Sequence, residues 1–98
     1  MFAIKSALSL SFLHAFKYRD RVGIMADILK AVKSTREGES KYGIMQNARL
    51  NYVQTKKYIH YMVNCGYLVV SQRETYLITE KGARFLQFIE IQRMQAIK

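Results

Sequence analysis

Between residues 20 and 65, apolar positions recur three and four apart, the spacing that lines up side chains along one face of a helix. Val22, Ile24, Met25, Ile28, Leu29 and Val32 form the first such face. Asp20 stands ahead of it, where a carboxylate can accept from the unpaired N–H groups of the first turn. The polar run at 34–40 contains Gly38 and ends this helix. Ser40 can cap a second, short helix through Tyr42, Gly43, Ile44, Met45 and Ala48, after which Arg49, Leu50 and Asn51 make a tight connection with Leu50 turned inward. Asn51 opens a third helix over 51–65, closed by Gly66, a residue suited to the left-handed exit of a helix. Its buried stripe is expected to be Tyr52, Thr55, Tyr58, Ile59, Met62 and Val63. Its outer face is Val53, Gln54, Lys57, Tyr61 and Asn64, with Lys56 and His60 at the edge.

After Gly66 the residue types change. Tyr67, Leu68, Val69, Val70 and Ser71, then Thr75, Tyr76, Leu77 and Ile78, are rich in β-branched and aromatic side chains and predict a hairpin. Gln72, Arg73 and Glu74 join the strands; without Gly or Asn there, a loop longer than two residues is expected. Thr79 caps a last helix, with Glu80 in its first turn where the helix dipole favours an acid. Ala83, Phe85, Leu86, Phe88, Ile89, Ile91, Met94, Ala96 and Ile97 point all around this helix. One small domain covers only one side, so a second copy of the chain is expected on the other, at Phe85, Phe88, Ile89, Ile91, Met94 and Ile97.

The fold expected is mostly α with a small β-hairpin: a winged helix-turn-helix with a C-terminal dimerisation helix. Residues 1–19 form an apolar N-terminal extension, read as helical, 20–78 the winged-helix domain and 79–98 the dimerisation helix. The extension is broken by Lys5, Ser6, Ser9, Ser11, His14 and Lys17, and is shorter than the roughly 20 apolar residues a membrane span needs. It also lacks the features of a cleaved leader and is expected to belong to the mature protein, packed on the domain or on a partner protomer.

Composition turns this fold toward a partner. The 98 residues hold 16 Lys and Arg against 7 Asp and Glu, a net charge of +9, which favours polyanions, nucleic acid before anionic membrane. From Ser40 to Arg73 there is no acid at all, while Lys41, Arg49, Lys56, Lys57 and Arg73 are basic. Those cations suit phosphates. Gln54 and Lys57, a turn apart, suit the edges of adenine and guanine, and Ser40 and Tyr61 suit backbone contacts. With Asn51 and Val53 on the same surface, helix 51–65 is expected in the major groove of double-stranded DNA and the wing at 72–74 on the backbone. The tyrosines at 42, 52, 58, 61, 67 and 76 mostly fall on apolar faces, which favours packing over base stacking.

The single cysteine, Cys65, excludes an intrachain disulfide and suits a reducing, cytoplasmic setting at the nucleoid. His60 and Cys65, five residues apart, diverge by more than a third of a turn, which is poor geometry for one metal. No paired carboxylates, nucleophile–base arrangement or Gly-rich phosphate loop occurs, so no enzyme, cofactor, metal or small-molecule substrate is expected.

Some runs are also recognisable. Ile44-Met45 with Ala48, Leu50-Asn51-Tyr52, Lys57-Tyr58-Ile59, Gly66-Tyr67-Leu68 and Tyr76-Leu77-Ile78-Thr79-Glu80-Lys81-Gly82 resemble the small archaeal winged-helix DNA-binding proteins. The resemblance covers about residues 20–91. It implies a basic DNA-binding dimer joined through a C-terminal helix, either a chromatin-type protein or a transcriptional regulator. Arg49 and the wing without glycine depart from that pattern, and residues 1–18 have no counterpart in it. Two other readings compete. One is a winged-helix module whose basic face docks on an acidic protein and ignores nucleic acid. The other is peripheral membrane attachment through residues 1–18 beside Lys17, Arg19 and Arg21.

Overall fold

The computed structural model describes residues 19–96. The expectations for residues 1–18 and for Ile97 lie outside the described residues. Helix α1 (Arg21–Lys33) begins where Asp20 accepts from the Gly23 N–H at 2.7 Å. It is the centre of the domain: α2 (Lys41–Asn47), β2 (Tyr76–Ile78) and α4 (Glu80–Ala96) all pack against it. Ile24, Met25, Ile28, Leu29 and Val32 are buried as the pattern requires. Val22 departs from it and stays exposed, because it sits in the first turn at the end of the helix, beyond the core. An Arg19–Asp27 ion pair at 2.6 Å ties the entering chain to the side of α1.

Ser40 accepts from the Gly43 N–H at 3.0 Å and opens α2, and Asn51 opens α3 (Tyr52–Asn64). Ile28, Leu29 and Val32 of α1, Ile44 of α2, Met62 of α3, Leu68 and Leu86 fill the middle of the core. Fully burying each such side chain is worth roughly 1.5–3 kcal/mol. Thr55 is the one buried polar side chain among the described residues, and its hydroxyl donates to the Asn51 carbonyl at 2.7 Å.

Strand β1 (Leu68–Val70) pairs antiparallel with β2, with Leu68 opposite Ile78 and Val70 opposite Tyr76. The strands are shorter than the sequence suggests, and the loop spans Gln72, Arg73 and Glu74 as expected. Its closure is backbone bonding, Ser71 N–H to Thr75 carbonyl at 2.8 Å and Glu74 N–H to Ser71 carbonyl at 3.0 Å. Glu74 takes the left-handed conformation (φ 63°) that a glycine would usually supply in such a loop. The other edge of β2 exchanges two backbone hydrogen bonds with Glu39, at 2.8 and 2.9 Å, so the loop before α2 is fastened to the wing.

The Thr79 hydroxyl accepts from the Gly82 N–H at 2.9 Å and donates to the Gly66 carbonyl, joining the start of α4 to the exit of α3. Gly82 is required here: a Cβ would run into the Tyr67 carbonyl oxygen. Helix α4 divides as its pattern implies, although two residues change sides. Leu86 and Ile89 are buried in their own domain, and the Phe85 ring stacks on Tyr67 with centroids 4.5 Å apart. Of the residues expected at the dimer interface, Ile89 is enclosed in the core of its own chain and Phe85 packs against that core while remaining partly exposed, so the core reaches further around α4 than periodicity alone indicates. Phe88, Ile91 and Met94 remain 57%, 46% and 72% exposed. No helix among the described residues is long and apolar enough to cross a membrane.

Candidate nucleic-acid interface

The connection between α2 and α3 sets the angle at which α3 is presented. The Arg49 N–H donates to the Gln46 carbonyl at 3.2 Å and the Leu50 N–H to the Met45 carbonyl at 3.0 Å. This paired exit from a helix needs a left-handed residue at its pivot, and Arg49 supplies it at φ 55°. A left-handed arginine is disfavoured by roughly 1–2 kcal/mol, which the packing of Leu50 on the core and these two bonds offset. Arg49 also accepts a bond on its carbonyl from the Arg19 guanidinium at 3.0 Å. The same exit recurs after α3, this time with Gly66 at φ 83° and a bond from the Tyr67 N–H to the Met62 carbonyl at 2.9 Å.

The first turn of α3 carries a reciprocal cap. Asn51 Oδ1 accepts from the Gln54 N–H at 2.7 Å, while Gln54 Oε1 accepts from the Asn51 N–H at 3.2 Å. Both residues are expected DNA contacts, and both side-chain oxygens are occupied in holding the helix end. Gln54 therefore offers a partner chiefly its amide N–H groups in this conformation. The signal was in the sequence, since an Asn followed three residues later by Gln is a capping box.

Beyond the cap, Val53, Gln54, Lys56, Lys57, His60 and Tyr61 are all exposed on one side of α3. Tyr52, expected in the buried stripe, is 53% exposed. Two ammonium groups lie over its ring, Lys41 Nζ at 5.5 Å and Lys56 Nζ at 5.4 Å from the centroid. An aromatic face attracts ammonium groups, so Tyr52 gathers a lysine from α2 and another from α3 onto one surface. The tyrosine's place at the helix end, past the core, is why it faces out. The Tyr61 phenol is held above the ordinary tyrosine range, first by its hydrogen bond with the Cys65 side chain, and Arg21 opposes this weakly. It stays a neutral hydroxyl able to donate to an anion. The end of α3 is pinned by Lys81, whose Nζ donates to the Cys65 carbonyl at 2.8 Å.

Acids absent from the sequence run 40–73 return in space at its borders. Glu37 approaches Arg73 at the wing tip, 3.4 Å apart with both side chains largely exposed. Glu39 accepts from the Ser40 N–H at 3.0 Å and from the Asn47 side chain at 3.3 Å, beside the start of α2. Glu74 sits in the wing loop itself. Among the described residues no carboxylate bonds to Gln54, Lys56 or Lys57. This surface thus has a positive centre on α3 and mixed charge at the wing. No group of three His, Cys, Asp or Glu that could hold a metal occurs among the described residues.

Comparison with known proteins follows the same lines. Residues 18–97 match the family described as winged helix-turn-helix. The crystal structure of Sso10a-2, a DNA-binding protein from Sulfolobus solfataricus, is similar at 29% identity with a TM-score of 0.60. The match covers 80% of this chain and 86% of that one. No curated protein matches. With four helices and a two-stranded wing among its described residues, and a match spanning most of its length, this chain belongs to the winged helix-turn-helix family.

Proposed function

We propose that the protein binds double-stranded DNA as a homodimer, with α3 in the major groove and the wing near the backbone. The observation that carries this reading is the exposed face of α3, where Gln54, Lys56, Lys57 and Tyr61 stand together with no carboxylate bonded to them among the described residues. A duplex offers a regular line of phosphates, and each lysine that neutralises one releases condensed counterions. Lys41, drawn in by Tyr52, extends the cationic face toward α2. Ser40 and Tyr61 donate hydroxyls to phosphate oxygens, Arg49 adds charge at the pivot, and Val53 offers an apolar contact for a thymine methyl. Asn51 acts through the cap. Arg73 contributes less than its position in sequence implies, because Glu37 competes for it. The likeness to Sso10a-2 supports the same partner.

The dimer rests on α4. Phe88, Ile91 and Met94 lie three apart along α4 and form an exposed apolar surface open to a second helix. Burying them between two copies would contribute roughly 1.5–3 kcal/mol per side chain before the cost of association. Such a protein would act at the nucleoid, as a regulator or as a chromatin component, without catalysis. The test is solution mass with and without a short duplex, together with a mobility shift at physiological salt. A dimer that shifts duplex is expected. A dimer that gives no shift at micromolar protein would favour the protein-docking module instead. Comparing one defined fragment with random duplex at the same salt separates a regulator from a general DNA binder.

A further inference from the structure

A cleft of about 340 Å³ opens between the first turns of α1 and the outer side of α3. Arg21 and Met25 line it from α1, and Lys57, Tyr58, Tyr61 and Asn64 from α3, with the His60 imidazole at its edge. That volume lies at the lower end of the roughly 300–1,000 Å³ typical of small-molecule sites. Its surface is mainly apolar, and among the described residues it is lined by two basic side chains and no acid. Met25 is buried and Tyr58 packs against the core, so the apolar floor is fixed by the fold. The rim is polar and better defined on one side, where the Asn64 amide lies 3.2 Å from His60 Nε2.

We propose that this cleft binds an aromatic monocarboxylate, its flat body on Met25, Tyr58 and Tyr61 and its carboxylate between Arg21 and Lys57. Charge argues for this occupant over the chain's own N-terminal segment. Residues 1–18 contain Lys5 and Lys17 and no Asp or Glu, so their charge opposes the rim. A DNA strand matches the rim but leaves the apolar floor without a partner. An organic anion satisfies both halves. Because Lys57 and Tyr61 also belong to the proposed DNA face, the bound anion competes with duplex. That consequence rests on the DNA reading; the site itself does not.

The test titrates the full chain, without DNA, with 2-naphthoate followed by ligand fluorescence anisotropy. Saturable binding of one molecule per chain is expected. Arg21→Ala and Lys57→Ala should each weaken it by about tenfold, the loss expected for one charge-assisted contact. Uncharged 2-naphthylmethanol and acetate should each bind at least about tenfold more weakly, since each supplies half of the ligand. Absence of saturation up to about 10 mM, or unchanged affinity in both variants, overturns the site. In a second arm, saturating 2-naphthoate should weaken duplex binding at fixed salt. Unchanged duplex affinity overturns the competition. A chain that binds no duplex at all refutes the proposed function, and the first arm still decides the site.

Discussion

Replacing Lys57 by alanine removes one charge from the middle of the proposed DNA face while leaving the fold alone. Lys57 is exposed on α3, between the buried Thr55 and Ile59 on the opposite side, so no core volume is lost. If Lys41, Arg49, Lys56, Lys57 and Arg73 each neutralise one phosphate, the plot of log K against log salt has a slope of about −4.5 per protomer. Raising salt from about 50 to about 200 mM then weakens binding about 500-fold. Without Lys57 the slope falls to about −3.6, and the same change in salt weakens binding about 150-fold. Fluorescence anisotropy of a labelled duplex across that range reads both quantities. A Lys57→Ala variant that keeps the slope and the affinity of the parent would remove α3 from the interface. It would also show that the charge of this chain meets its partner elsewhere.

Further outcomes follow from single contacts. Glu37→Gln should remove the acid that competes for Arg73 and tighten duplex binding by up to about fivefold at fixed salt, read in the same assay; an affinity unchanged or weaker would mean the wing does not touch the backbone. Glu74→Gly should raise stability by up to about 1 kcal/mol in thermal melting, because glycine takes the left-handed conformation without steric cost. A lower melting temperature would show that the Glu74 side chain holds the wing in some other way. Leu86→Ala should cost about 2–5 kcal/mol in denaturant unfolding, since Leu86 is fully enclosed where α4 meets the core. A loss under about 1 kcal/mol would mean that α4 does not pack on the domain as described.

The elements of this fold are legible in the sequence for a local reason. Asp20, Ser40, Asn51 and Thr79 each cap a helix by accepting from an N–H three residues ahead, a distance at which nothing remote intervenes. The buried positions of α1 and α3 likewise follow from helical spacing, with Val22 and Tyr52 failing where their helices run past the core. The capping box at Asn51 and Gln54 is equally local, while the outward position of Gln54 also suits a base contact. One residue can hold a helix end and face a partner at once.

What the chain by itself determined is therefore the set of elements, their caps, the basic run along the third helix and the excess of apolar surface on the last. Tertiary structure alone decided which side of α4 the domain keeps, enclosing Leu86 and Ile89 and leaving Phe88, Ile91 and Met94 outside. It alone brought Glu37 to Arg73, set Lys41 over the Tyr52 ring, and placed Arg21 across a cleft from Lys57. Caps and stripes are fixed within one or two turns of chain. The charge and coverage of a surface depend on groups within a few ångströms of each other, and here those groups lie as far as 36 residues apart.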